Sequence, residues 1–274
     1  MDLGLTNKHV IITGASSGIG LETTRKFLQE GAQVTACFRT DPRQLTDIEE
    51  EYSSHLNLVK ADISKESDVE FLFAEACNGY GRVDIAVANA GIANHEGIGV
   101  HEMSLEQWNR IVSVNLTGAF LTAKHFFQNL ESNPGDHASL VLIGSTAGVF
   151  GEAWYSDYST SKAGMHGLMM SLKNEIVHLA ERGRVNIVNP GWTLTPMAEE
   201  AMADSIMVSR IFQTLPMRKI ATSSDIANAI LFLSSDTTAG HISGQTITLA
   251  GGMEGRVLFT PDEVKEYVDR LTSR

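Results

Sequence analysis

The sequence predicts an α/β fold in which one doubly wound parallel sheet is covered by helices on both faces. Apolar runs typical of buried strands begin near residues 8, 33, 56, 83, 138, 184 and 245, and helical spacing fills most of the chain between them. The chain has 274 residues and 43% apolar content, which is enough for one large core. We therefore expect a single domain over residues 1–274.

The first strand-to-helix connection carries a glycine-rich turn. The apolar run 10–12 leads into Thr13-Gly14-Ala15-Ser16-Ser17-Gly18-Ile19-Gly20, and helical spacing continues over residues 19–29. Such a turn offers backbone N–H groups and the positive end of a helix dipole, so it suits a dinucleotide diphosphate. The residues expected at the diphosphate are Gly14, Ser16, Ser17, Gly18, Ile19 and Gly20. Ordinary turns also use glycine, so the motif gains weight only from the rest of the chain.

Two later groups of residues carry acid–base chemistry. The apolar run 139–143 leads to Ser145, which should emerge at the carboxyl end of a strand, where open α/β sheets bind ligands. Tyr158 and Lys162 are four residues apart in the helical segment 158–179, so both side chains project from one face. An ammonium beside a phenol favours the phenolate. We therefore expect Lys162 to lower the Tyr158 pKa from about 10 and to make the tyrosine a usable acid and base.

With these motifs in this order, the chain resembles the short-chain dehydrogenase/reductase family over residues 5–252, which implies a Rossmann-type fold. The resemblance also implies that Asn115, within the helical segment 105–130, is a catalytic residue whose backbone distorts its helix. The further residues that the resemblance assigns to a nicotinamide cofactor are Asp62, Ile63, Asn89, Ala90, Gly91, Tyr158, Lys162, Pro190, Gly191, Thr193 and Thr195.

The resemblance implies an oxidoreductase that interconverts a carbonyl and a secondary alcohol by hydride transfer, without a metal. Tyr158 would exchange a proton with the substrate oxygen, and Ser145 would bond that oxygen. Lys162 would bind the nicotinamide ribose, and Asn115 would complete a proton relay. Two alternatives stay open. Tyr155 lies seven residues before Lys162, as in the related enoyl reductases, and a chain of this kind could also be a non-catalytic nucleotide-binding module.

Residues after the second strand bear on the choice of cofactor. Phe38 occupies the position at which NAD-dependent relatives carry an acidic residue for the ribose hydroxyls. Arg39 follows, and its planar guanidinium suits the extra phosphate of NADP. The other basic position of NADP-dependent relatives holds Ser17. We therefore expect NADP(H) to be preferred, with NAD(H) as the alternative.

Three aromatic residues are candidates for the substrate pocket. Trp154 and Tyr155 precede Tyr158 in a loop that lines the pocket in relatives, and Trp192 opens the segment 192–217. This segment has no strand-like run and contains several methionines, so it resembles the family's substrate lid. We expect Trp154, Tyr155, Trp192 and Ser145 to contact an aromatic or bulky apolar substrate.

The C-terminal tail extends beyond the family's usual ending. Thr260-Pro261-Asp262-Glu263 combines a cap, a first-turn proline and a capping-box glutamate, which predicts a helix over about 261–272. We expect this helix to cover a neighbouring subunit or the rim of the pocket.

Charge and composition argue against several kinds of partner. The net charge is −12 and no dense Lys/Arg cluster occurs, which disfavours nucleic acid and anionic membranes. No apolar run reaches ~20 residues, the N-terminus does not read as a leader, and there are only two cysteines, Cys37 and Cys77. We expect a cytoplasmic protein that acts on a small carbonyl or alcohol. By resemblance to the family we also expect a homotetramer, with a dimer as the alternative.

Overall fold

The computed structural model describes residues 2–42, 44–94 and 96–272. Its main sheet has seven parallel strands in the order β3-β2-β1-β4-β5-β6-β9, and β7 and β8 form a separate parallel pair. The strands are β1 (His9–Thr13), β2 (Gln33–Phe38), β3 (Leu56–Lys60), β4 (Ile85–Ala88), β5 (His137–Ile143), β6 (Arg182–Pro190), β7 (Thr193–Leu194), β8 (Ala221–Thr222) and β9 (Thr246–Leu249).

Helices connect most of the strands. They are α1 (Gly18–Gln29), α2 (Leu45–Glu51), α3 (Glu66–Tyr80), α4 (Leu105–Val112), α5 (Gly118–Ser132), α6 (Ala147–Phe150), α7 (Ser156–Glu175), α8 (Glu199–Ala203), α9 (Ser205–Thr214), α10 (Ser223–Ser234), α11 (Asp236–Ala239) and α12 (Pro261–Thr272). Short 3₁₀ turns occur at Ile176–His178 and Pro196–Ala198.

Each face of the sheet has its own apolar core. One core contains buried side chains of α3, α5 and α7, and the other contains those of α1, α2 and α10. Side chains of a strand point alternately to the two faces, so neighbouring strand residues such as Ile11 and Ile12 belong to different cores. Burial on both faces explains why the strands are continuous apolar runs. The predicted doubly wound sheet is thus confirmed.

The strand order places a ligand site after β1. This strand pairs with β2 on one side and with β4 on the other. Strands β1 to β3 are therefore added towards one edge of the sheet, and strands from β4 onwards are added towards the other edge. Connections leave to opposite faces at such a point and open a crevice at the carboxyl ends of the strands. The glycine turn follows β1 at this crevice, and Ser145 follows β5 at the same edge.

Two segments have a local structure that helical spacing or loop composition does not predict. Between α4 and α5 the chain forms a π-helical turn, Ser113–Thr117, at the place where a distortion around Asn115 was expected. The expectation that 192–217 contains no strand is wrong, because β7 lies in this segment and pairs with β8, which follows it. A strand of two residues leaves too short an apolar pattern to be read from the sequence.

The tail helix α12 packs on α9 of the same chain. Val264 and Val268 are buried in a third apolar cluster together with residues of α9, including Val208 and Phe212. At the N-terminus of the helix, the backbone N–H and hydroxyl of Thr260 donate to the Glu263 carboxylate. The tail is thereby attached to the segment that follows β7.

Candidate active site

The glycine turn is shaped by close backbone packing. Gly14 and Gly18 have φ of 66° and 53°, values that favour glycine. A Cβ on Gly20 would lie 2.2 Å from the Gly14 carbonyl oxygen and 2.6 Å from Asn89 Nδ2. The helix therefore approaches the strand as closely as the backbone allows, which directs its first N–H groups towards the crevice.

The N-terminus of α1 is suited to an anion. Ser17 is the N-cap residue in extended conformation, and among the described residues its side chain makes no capping hydrogen bond and the first turn carries no acidic residue. A cavity of about 380 Å³ borders the turn and is lined by Ser16, Ser17, Gly18, Leu194 and Pro196, among others. Free N–H groups, the helix dipole and this open space fit a dinucleotide diphosphate.

The turn after β4 braces the glycine turn. Asn89 Nδ2 donates to the carbonyl oxygens of Thr13 (2.9 Å) and Gly14 (3.1 Å), and the backbone N–H of Ala90 donates to Thr13 Oγ1. Gly91 comes next, and a Cβ there would lie 3.3 Å from Lys162 Nζ. The three residues predicted at the cofactor therefore connect the phosphate end of the crevice with Lys162.

Ser145, Tyr158 and Lys162 lie together at the carboxyl edge of β5. The Ser145 side chain lies close enough to the Tyr158 hydroxyl to lower the Tyr158 pKa as a hydrogen-bonding partner. Lys162 is only 6% exposed, and its Nζ donates to the Ile143 carbonyl oxygen (2.8 Å) and lies 5.8 Å from the centre of the Tyr158 ring. The structure thus brings together the three residues that carry the predicted acid–base chemistry.

The electrostatics of Tyr158 differ from the prediction. Burial raises its pKa above the ordinary value, the Ser145 hydrogen bond lowers it, and the nearby Glu152 carboxylate raises it further, so that the net change is upward. Lys162 does not reverse this change. Burial also lowers the Lys162 pKa to about 8, and its ammonium points to the Ile143 carbonyl. The expected lowering of the Tyr158 pKa by Lys162 is therefore wrong, because desolvation dominates and the net change is upward.

Asn115 sits within the π-helical turn and is fully buried. Three hydrogen bonds hold its side chain, since Oδ1 accepts from the Ile92 N–H (2.8 Å) and Nδ2 donates to the Ile92 carbonyl oxygen (2.9 Å) and to Ser161 Oγ (3.1 Å). A Cβ on Gly91 would lie 3.4 Å from Asn115 Oδ1 as well as near Lys162. Asn115 thus lies next to Lys162 and fixes the chain after β4 against α7.

Arg39 and Asp62 lie at the ends of β2 and β3. Arg39 is exposed, and its guanidinium helps to lower the Asp62 pKa. Burial acts in the opposite direction on Asp62, but hydrogen bonds from Ser64 together with Lys65 and Arg39 outweigh it. Both residues are at the edge of the sheet that carries the glycine turn.

Of the remaining cofactor candidates, Ile63 faces a helix and the residues after β6 border the glycine turn. Ile63 is buried, and a Cβ on Gly118 would lie 2.1 Å from its Cδ1, so its side chain faces α5. Thr195 borders the glycine turn, because a Cβ on Gly18 would lie 3.2 Å from Thr195 Cγ2. The Gly191 carbonyl accepts from Thr193 Oγ1 (2.9 Å). This turn after β6 is therefore fixed next to the phosphate end of the crevice.

The predicted substrate residues are spread around the site. Trp154 is 64% exposed with φ of 74°, and its carbonyl oxygen accepts from the Ile98 N–H (2.8 Å). Tyr155 is half-buried and precedes the first residue of α7. Trp192 packs against the cluster between α9 and the tail helix. Trp154 and Tyr155 thus lie beside Tyr158, whereas Trp192 belongs to the wall formed by the tail and α9.

Two acidic residues near Tyr158 were not predicted. Glu152 opposes ionisation of both Tyr158 and Tyr155. Asp157 is completely buried, and its carboxylate accepts from the Tyr158 N–H (2.7 Å). The only signal in the sequence is the acidic residue directly before Tyr158, which a solvent-exposed helix N-terminus would equally explain.

Within residues 2–42, 44–94 and 96–272, no group of three or more His, Cys, Asp or Glu side chains is placed to hold a metal ion. No helix in the described part of the chain has both the length and the apolar character needed to cross a membrane.

Comparison with known proteins agrees with this geometry. The family model described as enoyl-(acyl carrier protein) reductase matches residues 14–254. A 3β-hydroxysteroid dehydrogenase 1 of Eggerthella lenta is 34% identical, over 91% of this chain and 94% of its own. A cis-4-hydroxycyclohexanecarboxylate dehydrogenase of Sinomonas cyclohexanicum is 32% identical (92% and 98%), and a 3-oxoacyl-[acyl-carrier-protein] reductase of Synechocystis sp. is 30% identical (91% and 98%).

The fold comparison leads to the same family. The ligand-free structure of the aldohexose dehydrogenase AldT of Thermoplasma acidophilum superposes with a TM-score of 0.83 and 27% sequence identity, covering 95% of this chain and 99% of that one. The family match, the relatives and the arrangement of the glycine turn, Ser145, Tyr158 and Lys162 agree over nearly the whole chain. This protein therefore belongs to the short-chain dehydrogenase/reductase family of nicotinamide-dependent oxidoreductases.

Proposed function

We propose that this protein interconverts a ketone and a secondary alcohol on an apolar ring, with NADP(H) as the preferred cofactor. One observation carries the proposal. The Ser145 side chain lies against the Tyr158 hydroxyl at the carboxyl edge of the sheet and lowers its pKa, beside the buried ammonium of Lys162. Two hydroxyl groups that converge on one point can hold and protonate a carbonyl oxygen.

The chain's own residues supply the proton chemistry. Bound nicotinamide gives or takes a hydride. Tyr158 holds its proton at neutral pH, because burial raises its pKa, and it gives that proton to the substrate oxygen during reduction. The Ser145 hydroxyl then stabilises the phenolate by its hydrogen bond, and the positive charge of Lys162 acts in the same direction. In alcohol oxidation each proton moves the opposite way.

Arg39 supports the preference for NADP(H). It is exposed at the end of β2, and Phe38 before it carries no charge that would repel a phosphate. The cofactor residues proposed with it are those of the glycine turn, Asp62 and Ile63, Asn89, Ala90 and Gly91, and Pro190, Gly191, Thr193 and Thr195. Their common position at the carboxyl edge of the sheet supports this assignment.

The substrate class follows from the rim of the site and from the relatives. Phe150, Trp154, Met197 and Ile206 are large apolar side chains exposed on the loops and helices near Tyr158 and after β7. Two of the three relatives are named for a hydroxyl group on a saturated ring. An apolar ring would cover such side chains, so we propose cyclic ketones and alcohols as substrates.

Reduction of a carbon–carbon double bond is the second candidate. It is favoured by the description of the matching family model and by Tyr155, which lies at the start of α7. Tyr158, however, is the tyrosine whose pKa the Ser145 side chain lowers, and it is nearest in sequence to Lys162. This pairing supports carbonyl chemistry.

The test begins with nucleotide binding. Titration with NADPH and NADH, followed by nicotinamide fluorescence, should show tighter binding of NADPH. A panel of cyclohexanones, a 3-ketosteroid, an acetoacetyl thioester and a crotonyl thioester should then give turnover with the cyclic ketones. Tyr158→Phe should abolish turnover and keep NADPH affinity, whereas Tyr155→Phe should keep turnover. Activity confined to the crotonyl thioester, or lost only in Tyr155→Phe, would replace carbonyl reduction by enoyl reduction.

We also propose a homotetramer in a reducing, cytoplasmic setting. Phe120 on α5 and Met170 on α7 are exposed apolar side chains, and a Cβ on Gly167 would meet no atom within 4 Å among the described residues. These two helices therefore have outer faces that another copy of the chain can cover. Both cysteines are unpaired, and Cys37 is buried. Light scattering at micromolar concentration should give four times the mass of the chain.

A further inference from the structure

A completely buried carboxylate lies directly before Tyr158. Asp157 is 0% exposed and accepts three hydrogen bonds. Its Oδ1 accepts from the Tyr158 N–H (2.7 Å), and its Oδ2 accepts from Asn94 Nδ2 (2.8 Å) and Gln107 Nε2 (3.1 Å). Such a group is costly to bury, so its three donors are needed to keep it in place.

The donors come from three different elements. Asn94 belongs to the connection between β4 and α4, Gln107 belongs to α4, and Tyr158 belongs to α7. The same connection contacts the loop before α7, because a Cβ on Gly97 would lie 2.6 Å from the Trp154 Cβ. Asp157 therefore ties the helix that carries Tyr158 to the chain that lies beside it.

Arg110 fixes the orientation of the Asn94 amide. Its NH2 group donates to Asn94 Oδ1 (2.6 Å), so the Asn94 amide can present only its NH2 group to Asp157. The positive charge of Arg110 polarises the Asn94 amide and thereby strengthens the hydrogen bond from this amide to the Asp157 carboxylate. Only a carboxylate accepts all three donors, since an amide in its place would set its own NH2 group against at least one N–H donor.

We infer that Asp157 is a positioning residue that sets the distance between Tyr158 and the connection from β4 to α4. The inference rests on the proposed function, in which Tyr158 exchanges the proton with substrate. A displacement of about 1 Å at a reacting group can reduce a rate about a hundredfold. The carboxylate therefore acts on the reaction through geometry, without touching the substrate.

The first test is Asp157→Asn, which keeps the size of the side chain. We expect kcat for the best cyclic ketone to fall ~10-fold to ~100-fold, in line with the cost of a misplaced acid. KM should change by less than about threefold and the NADPH Kd by less than about twofold, because none of the three donors belongs to the glycine turn. This separation of kcat from binding distinguishes positioning from general loss of structure.

A charge exchange gives the second test. In the double variant Asn94→Asp/Asp157→Asn, the carboxylate moves to the other side of the same hydrogen bond and faces Arg110 directly. The introduced amide can donate to it and still accept from the Tyr158 N–H, and Gln107 can turn its carbonyl oxygen to the amide. We expect kcat to recover at least fivefold over Asp157→Asn, which a role in packing alone would not produce.

The matched control is Asn129→Ser. Asn129 is a buried amide on α5 that bonds the backbone N–H and carbonyl of Val83, which precedes the amino end of β4, whereas Tyr158 lies at the carboxyl edge of the sheet. It should lose thermal stability like Asp157→Asn and keep kcat within twofold. If Asp157→Asn does not fold, the double variant tests the inference, because the positioning role then requires the double variant to be both folded and active.

The outcomes separate the two proposals. A wild-type enzyme without carbonyl turnover would overturn the proposed function, and this inference with it. A wild-type enzyme with turnover whose kcat survives in Asp157→Asn, or falls there no more than in Asn129→Ser, would overturn the positioning role alone. A folded double variant no faster than Asp157→Asn would do the same.

Discussion

Lys162 should make the protein less stable while making it active. Burial lowers its pKa from 10.5 to about 8, and its side chain is only 6% exposed. This difference corresponds to about 3–4 kcal/mol, at ~1.4 kcal/mol for each pH unit, by which the folded state disfavours the charged form. Replacing Lys162 by Met removes the buried charge. It also leaves the Ile143 carbonyl oxygen without its donor, at a cost of about 1–3 kcal/mol.

The pH dependence isolates the charge from the lost hydrogen bond. Below pH 8 lysine is protonated in both the folded and the unfolded chain, so the full penalty acts on the wild type. Between pH 8 and 10.5 the unfolded chain binds the proton and the folded chain does not, so the free energy of unfolding of the wild type rises with pH. The advantage of Lys162→Met should therefore shrink by up to ~1.4 kcal/mol for each pH unit above 8.

Urea unfolding of both proteins at pH 7, 8, 9 and 9.5 measures this difference. Groups that both proteins share, such as the buried Cys37, cancel in the comparison. Lys173→Met in the same helix is the control, because its ammonium bonds Asn174 at the surface and leaves no buried charge. Lys162→Met should also lack turnover. A difference in unfolding free energy that is the same at pH 7 and 9.5 would refute the buried, weakened charge.

Three further predictions concern the cofactor turn, the choice of nucleotide and the tail. Gly20→Ala should weaken NADPH binding at least tenfold and cost about 1–3 kcal/mol in urea unfolding, because the new methyl group would lie 2.2 Å from the Gly14 carbonyl oxygen; unchanged affinity would show that the turn tolerates a side chain. Arg39→Asp should lower the preference for NADPH over NADH at least tenfold in fluorescence titrations, and an unchanged ratio would reject Arg39 as the selecting residue. Val264→Asp places a charge in the fully buried contact between α12 and α9. This variant should raise KM for the ketone several-fold without changing the NADPH Kd. Equal KM values for variant and wild type would show that the tail does not help to shape the substrate site.

The strand-end residues of the site could be predicted from the sequence. In a parallel sheet the carboxyl ends of all strands lie on one edge, so a glycine turn after β1 and Ser145 after β5 must lie along the same edge once the strands are known. Tyr158 and Lys162 needed only the helical spacing of four residues. The distortion at Asn115 came from the family resemblance, and the π-helical turn lies where that resemblance placed it.

The environment of those residues could not be predicted. The spacing of Tyr158 and Lys162 does not reveal how deeply α7 lies in the protein, and depth decides the sign of the Tyr158 pKa change. The bonds of Asp157 join it to Asn94 and Gln107, which are 63 and 50 residues away along the chain. Such contacts depend on how loops pack, and no local pattern encodes them.

Helix α7 carries two buried charges on either side of Tyr158, and this arrangement is itself an argument for function. Asp157 and Lys162 are both at most 6% exposed, and within the described residues neither makes an ion pair. A buried charge with neutral partners costs several kcal/mol, which an apolar side chain of similar size would avoid. Packing therefore cannot explain why both charges occupy the first two turns of this helix. Catalysis can, since one charge stabilises the phenolate of Tyr158 and the other fixes its position, so removing either charge should lower the rate even where, as in Lys162→Met, it relieves the cost of burial.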